Sequence, residues 1–248
     1  MRALIAKRTA GMTIGGKRIV LLGGTSGIGF ATAQAAAREG ASVVVASSRQ
    51  TSVDRALATL PADAEGHSGD LTDACAVPAL FERIGPFDHL VFTAGEALKL
   101  GSLASTDPAS ARRYFELRYW GAFLAAKYGS PGIRPGGSIV FTSAGQLPRA
   151  GWALGASICS AVEGLTRALA VELAPIRVNA VSPGVVKTPL WGEMPEADRA
   201  ALYQQVARTL PVGHAGEPAE IAEAYLYLMR QTYGTGQVLV VDGGALLV

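Results

Sequence analysis

Short, continuous apolar runs recur along the chain and predict buried strands at Arg18–Leu22, Ser42–Ala46, around Gly66–Ser68, and at His89–Phe92, Ser138–Thr142, Arg177–Val181 and Val238–Val241. Between them, apolar residues return at helical spacing. These stretches are Ile28–Glu39, stopped by Gly40, then Val53–Leu60, ended before Pro61, and Ala74–Ile84, with Leu80, Phe81 and Ile84 on one face. Helices are also expected from Pro108 to Tyr128, over Trp152–Leu173, Glu196–Thr209 and Pro218–Met229. Strands alternating with helices imply right-handed crossovers, and hence an α/β, doubly wound parallel sheet of about seven strands with helices on both faces. No linker or internal repeat divides residues 12–248, which read as one domain. Met1–Gly11 reads as a flexible preface without the apolar core of a signal peptide, and Met12 resembles a natural start.

In such a sheet, ligands bind beyond the carboxyl ends of the strands. The first strand end carries Gly23-Gly24-Thr25-Ser26-Gly27-Ile28-Gly29, placed between a strand and a helix. Gly23 permits a tight turn, Gly27 lets backbone N–H groups approach a pyrophosphate, and Gly29 lets helix pack on strand. The helix N-terminus then faces the anion. A glycine turn alone also closes ordinary loops, but in this context it reads as a nucleotide-phosphate site.

Composition narrows the field. The chain has 248 residues, 49% hydrophobic and 17% charged, with net charge +2, which suits a single domain with a large core. No lysine or arginine run points to nucleic acid. No apolar stretch is expected to reach membrane-spanning length. Cys75 and Cys159 form neither a metal spacing nor a disulfide framework, so a reducing, cytoplasmic setting is the expectation. His67, His89 and His214 are scattered, and no metal site is expected.

From about Lys17 to Val248 the chain resembles the short-chain dehydrogenase/reductases, whose sheet is Rossmann-like. The resemblance rests on the glycine turn, Gly69-Asp70-Leu71-Thr72-Asp73, Ala94-Gly95 and Gly137-Ser138-Ile139-Val140-Phe141-Thr142-Ser143. Further along it rests on Arg177-Val178-Asn179-Ala180-Val181-Ser182-Pro183-Gly184 with Thr188, Gly216-Glu217-Pro218, and Thr235-Gly236-Gln237 through Val241-Asp242-Gly243-Gly244. It implies that Asp70 holds the adenine amino group with Leu71 packed nearby, and that Thr93-Ala94-Gly95 backs the adenosine ribose. Pro183, Gly184, Val186 and Thr188 would hold the nicotinamide carboxamide and phosphates. The second strand ends in Ser47-Ser48-Arg49 with no carboxylate. An acid there would take the 2′-hydroxyl of NAD, whereas an arginine accommodates the extra phosphate of NADP. NADP is therefore expected over NAD, although Arg49 also reads as a solvated charge at a helix start.

The family's catalytic set is Asn, Ser, Tyr and Lys, with the last two spaced Y-x-x-x-K. Here only the serine is present, as Ser143. Alignment through Ala161-Val162-Glu163-Gly164-Leu165-Thr166-Arg167 puts Gly155 at the tyrosine position and Cys159 at the lysine position. Arg118 stands at the asparagine position, and Thr93 replaces an asparagine usual after the fourth strand. Glycine cannot donate a proton, and cysteine cannot replace an ammonium. Arg118, sharing a helical face with Tyr114 and Gly121, reads as a compensating group that hydrogen-bonds the nicotinamide ribose or a substrate oxygen. The plainer reading pairs it with Glu116 or a neighbouring subunit. Glu96 and Lys99 read as solvated loop charges, Gln146, Arg149 and Trp152 as pocket-lining candidates, and Trp191 and Met194 as part of a mobile lid. Cys159 reads as an inert, small hydrophobe.

Two functions follow. One is an NADP-dependent oxidoreductase acting on a small-molecule carbonyl, alcohol or quinone through Ser143 and Arg118. The other is a silent NADP(H)-binding pseudoenzyme that serves as sensor, scaffold or partner subunit. Apolar residues on the two long helices (Tyr119, Trp120, Phe123, Leu124, Leu165, Leu169, Leu173) and the terminal Ala245-Leu246-Leu247-Val248 predict a homotetramer or dimer.

Overall fold

A computed structural model of the chain describes residues 13–97, 101–144 and 150–248. The expected preface at Met1–Gly11, together with Lys99, Gln146 and Arg149, lies outside them. Seven parallel strands form one sheet in the order β3-β2-β1-β4-β5-β6-β7. They are β1 Arg18–Leu22, β2 Ser42–Ser47, β3 Glu65–Ser68, β4 Phe87–Phe92, β5 Ile133–Thr142, β6 Arg177–Pro183 and β7 Val238–Val241.

Strands β1 and β2 are apolar through their centres because both faces are covered. On β1, Val20 and Leu22 face one layer and Ile19 and Leu21 the other, and all four are fully buried. The first layer holds α3 (Ala76–Ile84), α5 (Ala122–Gly129) and α6 (Ala153–Glu172), through Leu80, Ala126, Val162 and their neighbours. The second holds α1 (Gly27–Arg38) and α8 (Pro218–Arg230), which meet through Ala33, Ala36, Ile221 and Tyr225. Two further helices are α2 (Gln50–Leu57) and α7 (Glu196–Thr209).

The register brings the strand ends level. Leu22 pairs with Ala46 on one side and Phe92 on the other, Phe92 pairs with Phe141, and Thr142 with Val181. The chain crosses from β3 to β4 on the far side of β1, so the sheet changes winding direction between β1 and β4. That reversal opens a crevice at the carboxyl edge.

Three expectations need correction. The helix expected without interruption from Pro108 to Tyr128 is α4 (Pro108–Phe115), a wider π-helical segment Glu116–Gly121, and then α5. Such widened turns insert a residue into a helix, often at functional sites. Strand β5 begins well before Ser138, with a register shift against β4 between Phe87 and His89. Gly137 allows this, because a Cβ there would collide with Asp88 O. Finally, α6 does reach membrane-spanning length and hydropathy. Its buried side chains Ile158, Val162, Leu165 and Leu169 pack in the first core layer, as a central helix requires.

Candidate active site

A cavity of about 900 Å³ occupies the crevice, running from the glycine turn to the first turns of α6. Every position singled out in the sequence for a cofactor borders it, from Gly23 through Arg49, Asp70 and Gly95 to Thr188, and so do Ser143 and Arg118.

The glycine turn is tightly built. Gly23 has φ +87° and passes so near the β4 end that a Cβ would meet Ala94 N at 2.5 Å. Gly29 lies beneath Thr93, and a Cβ there would collide with Thr93 Oγ1 and Gly23 O. The Thr93 hydroxyl donates to Leu22 O, so it ties β4 to the turn. Ser26 is extended and its side chain makes no cap hydrogen bond, which leaves the first N–H groups of α1 facing the cavity. These features fit a pyrophosphate. At the β3 end, Asp70 Oδ1 accepts from Thr72 N and Thr72 Oγ1 at 2.9 and 2.7 Å, while Leu71 is buried beside it.

Arg49 stands at the N-cap of α2 and borders the cavity. Helix α2 starts earlier than expected, and this brings Ser52 and Arg55 to the same wall. The sequence reading missed them, although Arg49, Ser52 and Arg55 recur at three-residue spacing.

At the other end, Gly184 N donates to Val241 O, and a Cβ on Gly184 would meet Asp242 Cα at 2.8 Å. Thr188 caps the short turn Pro189–Trp191. Trp191, in the segment expected to form a lid, is buried, with Nε1 donating to Val186 O at 2.9 Å. Ala245 and Leu246, expected only at a subunit contact, line the cavity.

Ser143 is held at the end of β5 by its backbone N–H, which donates to Val181 O. Its hydroxyl donates to Glu163 Oε1 at 2.9 Å, and Glu163 on α6 is buried. The sequence reading used Glu163 only to set the helix register. Arg118 lies on the π-helical segment, its guanidinium 4.8 Å above the Tyr114 ring. It donates to Glu96 O and stands 3.6 Å from Glu96 Oε2. Glu96 is therefore a partner at the site and not a solvated charge, and the guanidinium pairs with Glu96 and not with Glu116. Gly95 makes room for this, since a Cβ there would meet Arg118 Nη1 at 2.9 Å.

Opposite, Gly155 has open space where a side chain would project. Burial pushes the Cys159 thiol above its ordinary pKa, against smaller opposing effects from Arg118 and Ser143, so it rests as the neutral thiol. Trp152 borders the same space.

Comparison with known proteins assigns the fold. A family model described as enoyl-(acyl carrier protein) reductase matches residues 23–245. A short-chain dehydrogenase/reductase, ATR9 of Stachybotrys chlorohalonatus, is 38% identical over 95% of this chain and 99% of its own. The chain belongs to the short-chain dehydrogenase/reductase family. Among solved structures of this family, a small-chain dehydrogenase in complex with NADPH is 42% identical, covers 94% of this chain and 99% of its own, and superposes with a TM-score of 0.84. The MalC reductase/Diels-Alderase of Malbranchea aurantiaca is 32% identical over 96% of this chain and 100% of its own, with a TM-score of 0.88. This dehydrogenase/reductase thus keeps the family's sheet and crevice.

Proposed function

We propose that the chain is an NADP-dependent oxidoreductase that interconverts a carbonyl, alcohol or quinone-like small molecule through a non-standard site. One observation carries this reading: a single cavity joins the glycine turn and Arg49 to Ser143 and Arg118. The NADPH held by a structural relative supports the choice of cofactor. Gly23, Ser26 and Gly29 would seat the pyrophosphate, Arg49 the 2′-phosphate, Asp70 the adenine, and Pro183, Gly184, Val186 and Thr188 the nicotinamide end. Bound there, the dinucleotide supplies or accepts a hydride.

The chain's own groups do the rest. Arg118 is permanently charged and serves as a hydrogen-bond donor, not an acid. Its guanidinium is paired with Glu96 and borders the cavity, where it donates to a substrate oxygen as charge develops. Ser143 contacts the same oxygen. The space beside Gly155 and Trp152 admits the substrate body. The exposed apolar side chains Trp120, Val171 and Leu247 support a homotetramer or dimer.

The test is NADPH oxidation across a panel of carbonyl compounds and quinones, with Arg118→Ala and Ser143→Ala as controls. Turnover that falls about 100-fold in either variant supports the reading. The positions of Gly155 and Cys159 favour a second reading, the silent NADP(H)-binding protein. Tight NADPH binding without turnover on any compound would establish it in place of the first.

A further inference from the structure

Buried carboxylates are rarely left in a core without a task or a partner. Glu163 is 5% exposed and lies in the first core layer, on the face of α6 turned toward the cavity end of β5. Its Oε1 accepts the Ser143 hydroxyl at 2.9 Å. Its Oε2 is 3.7 Å from Arg167 Nη2, one turn further along the helix. In this pair Ser143 is the donor, so the hydrogen of Ser143 Oγ points at Glu163. With its proton directed at Glu163, Ser143 Oγ keeps a lone pair for the cavity, beside the Cys159 thiol.

We propose that Ser143 and Glu163 form a proton-accepting relay, and that the substrate group facing Ser143 is a hydrogen-bond donor, an alcohol in the oxidative direction. This inference rests on the oxidoreductase reading above. The substrate O–H proton passes to Ser143 Oγ as the Oγ–H proton passes to Glu163 Oε1. The C–H hydride of the same carbon goes to the oxidised dinucleotide. The products are the carbonyl compound, the reduced dinucleotide and a neutral Glu163, which releases its proton to solvent before the next turnover. In reduction the same path runs backwards, from protonated Glu163 through Ser143 to the carbonyl oxygen. Glu163 never touches the substrate, and as a positioning residue it acts through Ser143.

Two substitutions separate a relay from a merely structural hydrogen bond. Glu163→Gln keeps the size and the acceptor oxygen but cannot take a proton. Glu163→Asp can take one but is a methylene shorter. A structural role makes Gln the milder change, whereas a relay makes Asp the milder one. We expect kcat for alcohol oxidation to fall about 100-fold in E163Q and distinctly less in E163D, with KM nearly unchanged. NADPH binding, followed by its fluorescence, should be retained in both and reports that each variant folds. Independently of turnover, neutron diffraction from the unsubstituted protein should place the deuteron on Ser143 Oγ, directed at Glu163. A deuteron on Glu163 directed at Ser143, or E163Q as active as E163D, would overturn the relay alone. Reduction of a carbonyl compound or quinone with no oxidation of any alcohol would overturn the relay alone, whereas NADP binding with no turnover in either direction would overturn the relay together with the oxidoreductase reading.

Discussion

The Tyr225 hydroxyl lies 2.6 Å from Thr142 Oγ1, and Thr142 in turn donates to Phe92 O at 2.7 Å. The threonine has one proton to give, so Tyr225 must be the donor of the pair. A side chain on α8, beneath the sheet, thereby fixes the ends of β4 and β5, immediately before Ser143. Tyr225 is fully buried, and burial holds its phenol well above the usual range, so the donor stays protonated at any working pH. Tyr225→Phe removes the donor without changing the ring. Equilibrium unfolding in urea should show a loss of about 1 kcal/mol, with an unaltered m-value. An unchanged midpoint would mean that the hydrogen bond contributes nothing net.

Arg49 and Arg55 bear on cofactor choice. Both border the cavity, Arg49 at the N-cap of α2 and Arg55 in its last turn, and no carboxylate lines the wall between them. A charge-assisted contact to a phosphate contributes about 1.5–3 kcal/mol. Arg49→Ala should therefore weaken NADPH binding at least tenfold while leaving NADH affinity nearly as it was, and the double variant with Arg55→Ala should weaken it further. Titration of both cofactors by fluorescence measures the ratio. An equal loss for both would remove Arg49 from the 2′-phosphate.

Gly29 tests the turn itself. An added Cβ would strike Thr93 Oγ1 and also the backbone oxygen of Gly23. Trimming Thr93 relieves only the first collision, because the second partner is backbone. Gly29→Ala should lower stability by about 1–3 kcal/mol and weaken NADPH binding strongly, and combining it with Thr93→Ala should recover part of the stability but little of the binding. Full recovery of binding in the double variant would show that the turn tolerates the shift.

Much of this was legible in the sequence because strands such as β1 and β2 are short apolar runs followed by helical repeats, and that alternation alone implies a parallel sheet. The strand-end rule then located the cavity before any contact was known. Arg118 was found through its place in the helix, but its partner was not. Glu96 sits on a loop after β4, and only the folded geometry brings it back over the π-helical segment. The π-helical turn itself leaves no periodic signature over so few residues. Glu163 was hidden for a different reason. On a helix rich in alanine and leucine an acidic residue reads as solvent-facing, and nothing local says that β5 will present a hydroxyl to it. The hydrogen bond from the Trp191 indole to Val186 O could not be read from the sequence either, because both lie in irregular segments.

His89 makes stability depend on pH. It lies on β4, buried, with Nδ1 2.9 Å from Ser138 Oγ. Burial, with Arg177 adding to it and Asp88 opposing, lowers its pKa from 6.5 to about 4. In the unfolded chain the imidazole charges as pH falls through its ordinary value, while in the fold it stays neutral until about 4. Between those values the unfolded state binds more protons, so stability is greatest above the ordinary value and drains away as pH falls toward the folded one. At 1.36 kcal/mol per pH unit, the full span amounts to about 3 kcal/mol from this residue. Urea midpoints measured between pH 7 and about 4.5 should fall steadily, and His89→Gln, which cannot titrate, should flatten most of that slope whatever it does to stability at neutral pH. An identical slope in the variant would assign the acid sensitivity to the carboxylates, beginning with Asp88, whose pKa is lowered by hydrogen bonds from Arg18 N and Lys17 against the effect of its burial.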